Sequence, residues 1–565
     1  MKRFSVLLVF ILTAFSAAAQ TDTNAVAAPA DTNSPAAASA TNEVAAQTDT
    51  NAPVTPAETN SPAAQTSTNS TAIPTNTMVT AAAHPMSLAD CIQQALQHNL
   101  DVQISQYDPQ IQLFTLRANY GGYDPTLNLS GQYTYDKQGG VIQNNQIILP
   151  TTANADTFGA GLSGVAPWGM SYNFGNGSLN GPGPANISET WGQKSVGSFT
   201  TNFDNSSGAI GVSLTQPLLK NFWIDQTRLN IRVGKNRLQY SEQGLRLQLI
   251  TSITAVENAY YELIYAQENV KVQEEALVLA QTQLDQDRQR VQIGTLAQLD
   301  VQQDEAQVAT SRANLITAQY TLANDQNTLK NLLTDQYANW HDTDIQPTET
   351  ITNAPLQLFD LQDSWSKGMT MRPDLMQSRL DVEKQGIQLK YDNNQLFPEV
   401  DLIGSYGYNG SGREYSDVFS QFNAANQPFY GFGGQLTMPL SNVGPRNTYK
   451  SDKVTLQQLL LKLKQFEQNV MVDIDNAVKN AQSTYESVGA TRQARTYAEA
   501  ALDAEQKKYN VGKSTTFTVL QLQNTLTTDR GQEIRALANY YEALATLAQK
   551  EGSTLDRLHI DVEVR

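Results

Sequence analysis

From about residue 84 onward, the sequence contains two copies of one unit. Three pairs of similar segments occur in the same order along the chain: 125–135 with 398–408, 214–218 with 436–440, and 293–294 with 511–512. The paired segments lie 273, 222 and 218 residues apart, so the first copy carries 51 additional residues between its first two segments. Ordered repeats of this kind indicate a duplicated structural unit. We therefore expect two similar halves, 84–350 and 351–565, rather than several unrelated domains.

Each copy contains two segments that alternate in polarity with a period of two. Leu127, Leu129 and Tyr133 alternate with Asn128 and Ser130, and an extended chain directs such residues to opposite faces of a sheet. Similar alternation predicts strands at about 125–135, 208–218, 398–408 and 430–440. Strands of about ten residues with one apolar face fit a transmembrane β-barrel. A soluble sheet with one face in water is the alternative.

The first copy has a long connection between its two strands. This connection, 136–206, is rich in Gly, Asn and Ser, and the alternation of Phe158, Ala160 and Leu162 allows a further hairpin within it. The corresponding connection of the second copy, 409–429, is short. Both are expected outside the cell, where bacterial barrels carry their longer loops.

A long stretch without proline follows the second strand of each copy. In the second copy, apolar residues recur every three or four positions at Leu456, Leu460, Leu463, Phe466, Val470 and Ile474. This spacing predicts a helix with an apolar stripe, and glycine readily permits a chain to reverse. We therefore predict helical hairpins at about 222–338 and 446–550, joined along coiled-coil seams and turning at Gly294 and Gly512.

The N-terminal region predicts export followed by a linker. Lys2 and Arg3 precede an apolar stretch at 6–15 and small residues at 17–19, which is typical of a signal peptide covering 1–19. Residues 20–83 are rich in Ala, Thr, Asn and Pro, contain a tandem duplication with a displacement of 27 residues, and lack Lys and Arg. Such a composition buries too little apolar surface to offset the entropy of ordering, so we expect a disordered linker.

Composition excludes several classes of protein. The chain has 38 Lys and Arg against 55 Asp and Glu, a net charge of −17, whereas a nucleic-acid-binding protein needs a basic surface. A single cysteine excludes a disulfide framework, and four scattered histidines offer no metal-ligand spacing. The sequence also lacks the common motifs of hydrolases, zinc proteases and nucleotide-binding loops. We therefore expect no nucleic-acid partner, no metal, no cofactor and no enzyme activity.

The order of these segments resembles the TolC-type outer-membrane efflux proteins over about residues 86–560. The segments that carry the resemblance are 88–99, 127–135, 216–219, 372–375 and 509–512. The resemblance implies a mixed α/β membrane protein, a homotrimer in which each chain gives four strands to a twelve-stranded outer-membrane β-barrel surrounded by lipid. It also implies that two helical hairpins per chain continue the barrel as a long α-helical coiled-coil tunnel in the periplasm.

The function implied by the resemblance is passive export across the bacterial outer membrane. The cargo would be small molecules such as drugs, toxins or metabolites, or polypeptides. A periplasmic adaptor (membrane fusion protein) and an inner-membrane transporter of the RND, ABC or MFS type would deliver the cargo to the tunnel, which opens at its periplasmic helix tips. A structural coiled-coil or adhesin-type outer-membrane protein without a conduit is the alternative. The sequence identifies neither the cargo nor the class of transporter.

The helix tips hold the candidate gating residues. They are Arg288, Arg290, Asp300, Asp304, Tyr509, Lys513, Thr518 and Gln521. By the resemblance, Asp300 matches a carboxylate near the constriction of these channels and Tyr509 matches a residue of the tip, while Asp304 lies one helical turn after Asp300. A solvated acidic pair at a helix end is the alternative for Asp300 and Asp304.

The remaining tip candidates have supporting roles. Thr518 and Gln521 stand where the family often has acids, so the resemblance gives no carboxylate ring from the second hairpin. Arg288, Arg290 and Lys513 are candidates to hold the closed tip by charge or hydrogen bonding. The candidate adaptor-contact residues are Gly294, Thr295, Gly512, Lys513 and Ser514. Alternatively, the two glycines only permit the chain to reverse.

Overall fold

The structure is a computed structural model of the chain. It describes residues 82–139, 141–143, 146–148, 151–176, 183–196, 199–355, 357 and 359–560. The predicted signal peptide at 1–19 and nearly all of the predicted linker at 20–83 lie outside these residues. All described residues belong to one of the two units into which the chain divides, Met78–Arg565.

The described residues form both strands and helices. The strands are β1 (Ala82–Met86), β2 (Thr126–Gln138), β3 (Val141–Gln143), β4 (Gln146–Ile148), β5 (Thr151–Val165), β6 (Ser171–Gly175), β7 (Ala185–Val196), β8 (Phe199–Pro217), β9 (Thr343–Pro347), β10 (Glu399–Gly412) and β11 (Pro428–Thr437). The helices are α1 (Leu88–His98), α2 (Leu100–Tyr120), α3 (Gln226–Gln292), α4 (Gln298–Leu333), α5 (Tyr337–Trp340), α6 (Leu361–Met371), α7 (Pro373–Gln395), α8 (Tyr415–Ala424), α9 (Val443–Asn510), α10 (Thr516–Glu551) and α11 (Thr554–Arg557).

The main sheet is antiparallel and has six strand positions, in the order β11, β10, β8, β6 with β7, β5 and β2. Strands β6 and β7 share one position because they follow one another along β8. Gly175 of β6 pairs with Gly211, and Asn186 of β7 pairs with Ala209. Helices α2 and α7 lead into β2 and β10, while β8 and β11 lead into the long helices α3 and α9.

The expectation of four strands per chain is wrong for this sheet. The connection between β2 and β8 adds β5, β6 and β7, because its alternating residues pair with both neighbours along their length. The alternation seen at Phe158, Ala160 and Leu162 lies in β5. At the other edge, the last strand ends at Thr437 rather than at about 440, since Pro439 cannot donate a hydrogen bond to a ladder.

Two helical hairpins extend from the sheet. Helix α3 has 67 residues and therefore spans about 100 Å. It begins after Asp225, whose carboxylate accepts a hydrogen bond from the backbone N–H of Arg228, and it packs along α4. Helix α9 has 68 residues and packs along α10, which Thr515 caps through the N–H of Thr518.

The two hairpins turn with the same backbone geometry. Gly294 and Gly512 both have φ +76°, a left-handed conformation that glycine adopts without strain. The N–H of Thr295 bonds to the carbonyl of Arg290, and the N–H of Lys513 bonds to the carbonyl of Lys508, each at 2.9 Å. These bonds satisfy carbonyl groups that a helix end otherwise leaves without a partner.

Buried apolar side chains line the seams between the helices. The largest cluster joins α1, α3, α4 and β9, with Tyr260, Leu263, Leu329 and Ile345 fully or almost fully buried. Strand β1 pairs in parallel with β9 beside this cluster, so the sheet pairing includes Ala82 and Ala83, which precede the predicted boundary at 84. None of the described helices combines the length and apolar character that a membrane crossing requires.

Candidate functional site

The two helical hairpins are joined by a hydrogen bond near their tips. The hydroxyl of Tyr509, at the end of α9, donates to Oδ2 of Asp287 in α3 over 2.7 Å. Tyr509 is 7 % exposed and Asp287 is fully buried. The Tyr509 oxygen also lies 3.0 Å from the hydroxyl of Thr516 in α10. Three of the four hairpin helices therefore meet at one phenol group.

Apolar packing directs Tyr509 toward α3. Leu502 and Val519 are buried with it in one cluster, and Leu279 of α3 packs against that cluster. Burial raises the pKa of the Tyr509 phenol to about 12, with hydrogen bonding to Asp287 adding to the effect. The phenol thus keeps its proton at physiological pH and remains a donor to the Asp287 carboxylate.

Arg290 covers the exposed side of this contact. Its guanidinium carbon lies 4.5 Å from the centre of the Tyr509 ring, a distance at which the ring attracts a cation. One guanidinium nitrogen donates to Oδ1 of Asn510 over 3.0 Å, and another lies 3.4 Å from Oδ1 of Asp287. Arg290 therefore contacts Tyr509 and Asn510 of α9 and lies beside Asp287 of α3.

A second carboxyl group is buried next to Asp287. Asp304 of α4 is only 1 % exposed. Its burial and the adjacent charge of Asp287 raise the pKa of Asp304 to about 7. Asp287 also accepts a hydrogen bond from Gln283 Nε2 at 2.8 Å. Because two carboxylates cannot both ionise cheaply in one buried site, Asp304 is the group that retains a proton near neutral pH.

The structure brings together Tyr509, Arg290 and Asp304 from the predicted gating residues and adds Asp287. Sequence reasoning missed Asp287, although it lies one turn after Gln283 on a polar stretch shortly before the tip. Asp300, expected near the constriction, is half-buried on α4 and faces Asp304 without a side-chain bond to Tyr509 among the described residues.

The other gating candidates lie apart from this cluster. Arg288 is half exposed and binds Glu305 over 2.9 Å, while Lys513 is exposed at the second tip. Thr518 belongs to the N-terminal cap of α10, with its hydroxyl 2.9 Å from that of Thr515. Gln521 is exposed along the groove between α4 and α10.

The tips themselves are accessible. Gly294, Thr295, Gly512 and Lys513 are exposed, and Ser514 is partly exposed. A side-chain carbon at either glycine would meet no atom within 4 Å. Thr295 and Ser514 are tied locally, to the Arg290 carbonyl over 3.0 Å and to Glu505 over 2.5 Å. The two turns thus present ordered, open surfaces.

Sequence comparison identifies the family. A family model described as outer membrane efflux protein matches residues 185–334 and 369–553, more than half of the chain. The chain belongs to the outer membrane efflux protein family. The two matched ranges include all four hairpin helices, and thus the contact between Tyr509 and Asp287. In a comparison with curated proteins, none matches the sequence.

Solved outer-membrane channels share the fold of this efflux protein. The CmeC channel of Campylobacter jejuni is similar with a TM-score of 0.59 at 13 % identity, over 82 % of this chain and 85 % of that one. VceC of Vibrio cholerae gives 0.59 at 16 %, over 82 % and 96 %. The open state of the MtrE channel of Neisseria gonorrhoeae gives 0.56 at 15 %, over 83 % and 89 %.

These findings establish an outer-membrane efflux channel protein with a periplasmic helical tunnel. The family and the similar structures are channel proteins of the outer membrane. In this efflux protein, α3, α4, α9 and α10 form the two long hairpins that extend from the main sheet. The cluster around Tyr509 and Asp287 lies near the hairpin tips, at the end most distant from the sheet.

Proposed function

We propose that three copies of this chain assemble into one conduit for passive export, which is closed at rest by the contacts around Tyr509. The observation that carries the proposal is the buried bond from Tyr509 to Asp287. It joins the tips of two helical hairpins that are far apart in sequence, so breaking it allows the hairpins to separate. A channel that opens at its periplasmic end needs a contact of this kind.

The sheet supports membrane insertion of this assembly. Large apolar side chains that are exposed to water favour association. Four such side chains on the sheet are more than half exposed in the single chain: Tyr430, Phe432, Leu127 and Leu129. Strands β2 and β11 also have one edge each without a partner strand in the described chain. Unpaired edges are unfavourable in lipid, and pairing between copies closes them.

The conduit would work with partner proteins. A periplasmic adaptor would bind the exposed tips at Gly294, Thr295, Gly512, Lys513 and Ser514, and an inner-membrane transporter of the RND, ABC or MFS type would supply energy. Its cargo would be small molecules or polypeptides. The open surfaces of the two turns support the adaptor contact, because a side-chain carbon added at either tip glycine would have no atom within 4 Å.

Planar-bilayer recording tests the proposal. Purified protein should give rare openings, and a variant carrying Asp287→Asn together with Tyr509→Phe should give frequent ones. Native mass spectrometry in detergent should detect three chains in each particle. A trimer that stays without ion conductance, even in the double variant, would favour a structural or adhesin-type protein and overturn the conduit.

A further inference from the structure

The segment inserted between β2 and β8 reaches the full depth of the main sheet. Thr126, the first residue of β2, pairs with Ser163 of β5, and Ser171 of β6 pairs with Thr215 near the end of β8. A loop added only at the outer end of two wall strands would pair with them only there. Strands β5 and β6 instead extend to the end at which β8 leads into α3.

The turn between β5 and β6 is anchored at the base of the helical hairpin. It reverses at Gly169, where φ is +88°, and the carbonyl of Pro167 accepts a hydrogen bond from Nε of Arg228 in the first turn of α3 over 2.9 Å. Trp168 in this turn is 58 % exposed, and Trp223, between β8 and α3, is 75 % exposed. Aromatic side chains at this level are typical of the membrane interface in outer-membrane barrels.

The inserted strands also have one apolar face and one polar face, like the other strands of the main sheet. Directly opposed residues of antiparallel strands lie on the same face of a sheet. One row across all six positions is apolar: Leu127, Leu162, Phe174, Val212, Tyr406 and Tyr430. The adjacent row is polar or small throughout: Thr126, Ser163, Asn173, Ser213, Ser405 and Gly431.

We infer that each chain contributes six strand positions to the membrane wall, so that three copies close a barrel of eighteen positions through pairing of β2 with β11 of the next copy. This inference rests on the proposed trimeric conduit. An apolar row that continues without interruption into β5 and β6 suits lipid, and the adjacent polar row suits a water-filled lumen. Because barrel diameter grows roughly linearly with strand number, eighteen positions give a pore about one and a half times as wide as twelve. The membrane-embedded part would then pass bulkier cargo than a twelve-stranded barrel.

Single-cysteine labelling in lipid vesicles tests the wall. The background is Cys91→Ala, since Cys91 is the sole cysteine. Bimane-labelled variants Val212→Cys and Thr215→Cys on β8, and Phe174→Cys and Asn173→Cys on β6, are reconstituted in phosphatidylcholine with and without brominated acyl chains. Thr215 lies on the polar face of β8 and lines one open cavity with Asn173. We expect the loss of emission at position 174 to equal that at 212 and positions 173 and 215 to lose little, and we expect the unlabelled variants at 173 and 215 to react with a water-soluble thiol reagent.

The β8 variants separate two kinds of failure. If position 212 is quenched and position 174 is not, the inserted strands lie outside the wall and the inference is overturned while the conduit stands. If position 212 itself is not quenched, the sheet is not embedded in lipid, and both the wall and the conduit are overturned.

Disulfide cross-linking in intact cells gives an independent readout. The pair Phe174→Cys with Val212→Cys should form an intrachain bond on oxidation, seen as a mobility shift on a non-reducing gel. The matched pair is Leu127→Cys with Val212→Cys. Three strand spacings separate these residues here, about 14 Å, which a disulfide cannot span. Cross-linking of the matched pair but not of the first would place β2 beside β8 and overturn the six-position wall.

Discussion

Tyr509 and Asp287 are 222 residues apart in sequence and are joined by a buried hydrogen bond of 2.7 Å between the two hairpin tips. The donor belongs to the second hairpin and the acceptor to the first. Around this bond, Thr516 supports the phenol and Arg290 covers its ring. Separation of the hairpins therefore requires the loss of one bond to a buried charged group and of the contacts that protect it.

Replacement of the phenol should favour opening. Tyr509→Phe retains the ring beneath Arg290 and removes the donor to Asp287, which costs the closed state about 1–3 kcal/mol per subunit. We expect an increased open fraction in planar-bilayer recordings. Tyr497→Phe, at an exposed tyrosine of the same helix, is the control and should behave like the parent. An equal effect of both variants would contradict a specific role for Tyr509.

The tip should open more readily as pH rises. In the closed structure the pKa of Asp304 is raised from 3.8 to about 7 by burial and by Asp287, whereas water around an opened tip returns this pKa toward its ordinary value. The closed state thus binds the proton more tightly and is favoured at low pH. The charged groups that act on Asp304 are Asp287 of α3 and Asp300 of α4. Arg290 of α3 and Tyr509 of α9 contact Asp287, and Thr516 of α10 contacts Tyr509.

The pH dependence has a defined range and a direct test. The open-to-closed ratio should rise by up to about tenfold per pH unit and subunit between pH 4 and 7 and level off above. Asp304→Asn keeps a neutral side chain of the same shape and should abolish this dependence. Asp285→Asn, at an exposed acid of α3, should retain it. A pH profile that survives in Asp304→Asn would assign the effect to another group.

Arg290 and Arg288 should differ in importance. Arg290→Lys keeps a positive charge and loses the planar group over Tyr509, at a cost of about 1 kcal/mol. Arg288→Lys alters a half-exposed pair with Glu305, which is worth about 0–1 kcal/mol. Channel recordings at low and high salt should show the larger rise in open fraction for Arg290→Lys. A larger effect of Arg288→Lys would contradict this assignment.

The tip glycines should be conformationally required. Gly294→Ala introduces a side chain at φ +76° where no atom lies within 4 Å, so the cost of about 1–2 kcal/mol arises from the backbone alone. Gly489→Ala within α9 also meets no atom within 4 Å, yet it should stabilise the helix by about 0.5–1 kcal/mol. Hydrogen exchange around each site measures both changes, and faster exchange in Gly489→Ala would contradict the comparison.

Short-range patterns carry much of this architecture. The period of two around Leu127 and the period near 3.6 from Leu456 onward depend only on which face of an element is apolar, so both can be read from sequence. The reversal at Gly294 is likewise a local event, because a positive φ selects glycine whatever surrounds the turn. By contrast, the alternation at Phe158 predicts only that a further hairpin can form. Pairing of that hairpin with β2 and β8 also depends on those distant strands, so the pattern of one segment does not reveal it.

By itself, the sequence determined the polarity of each strand face, the helical stripes and the two points of reversal, because each depends on residues a few positions apart. Only the tertiary structure decided that Asp287, rather than Asp300, accepts the hydrogen bond from Tyr509 and that Asp304 is buried beside Asp287. It also decided that β5 and β6 enter the main sheet. These are contacts between segments distant in sequence, and the burial, charge and edge pairing that fix them exist only once the hairpins and strands are packed together.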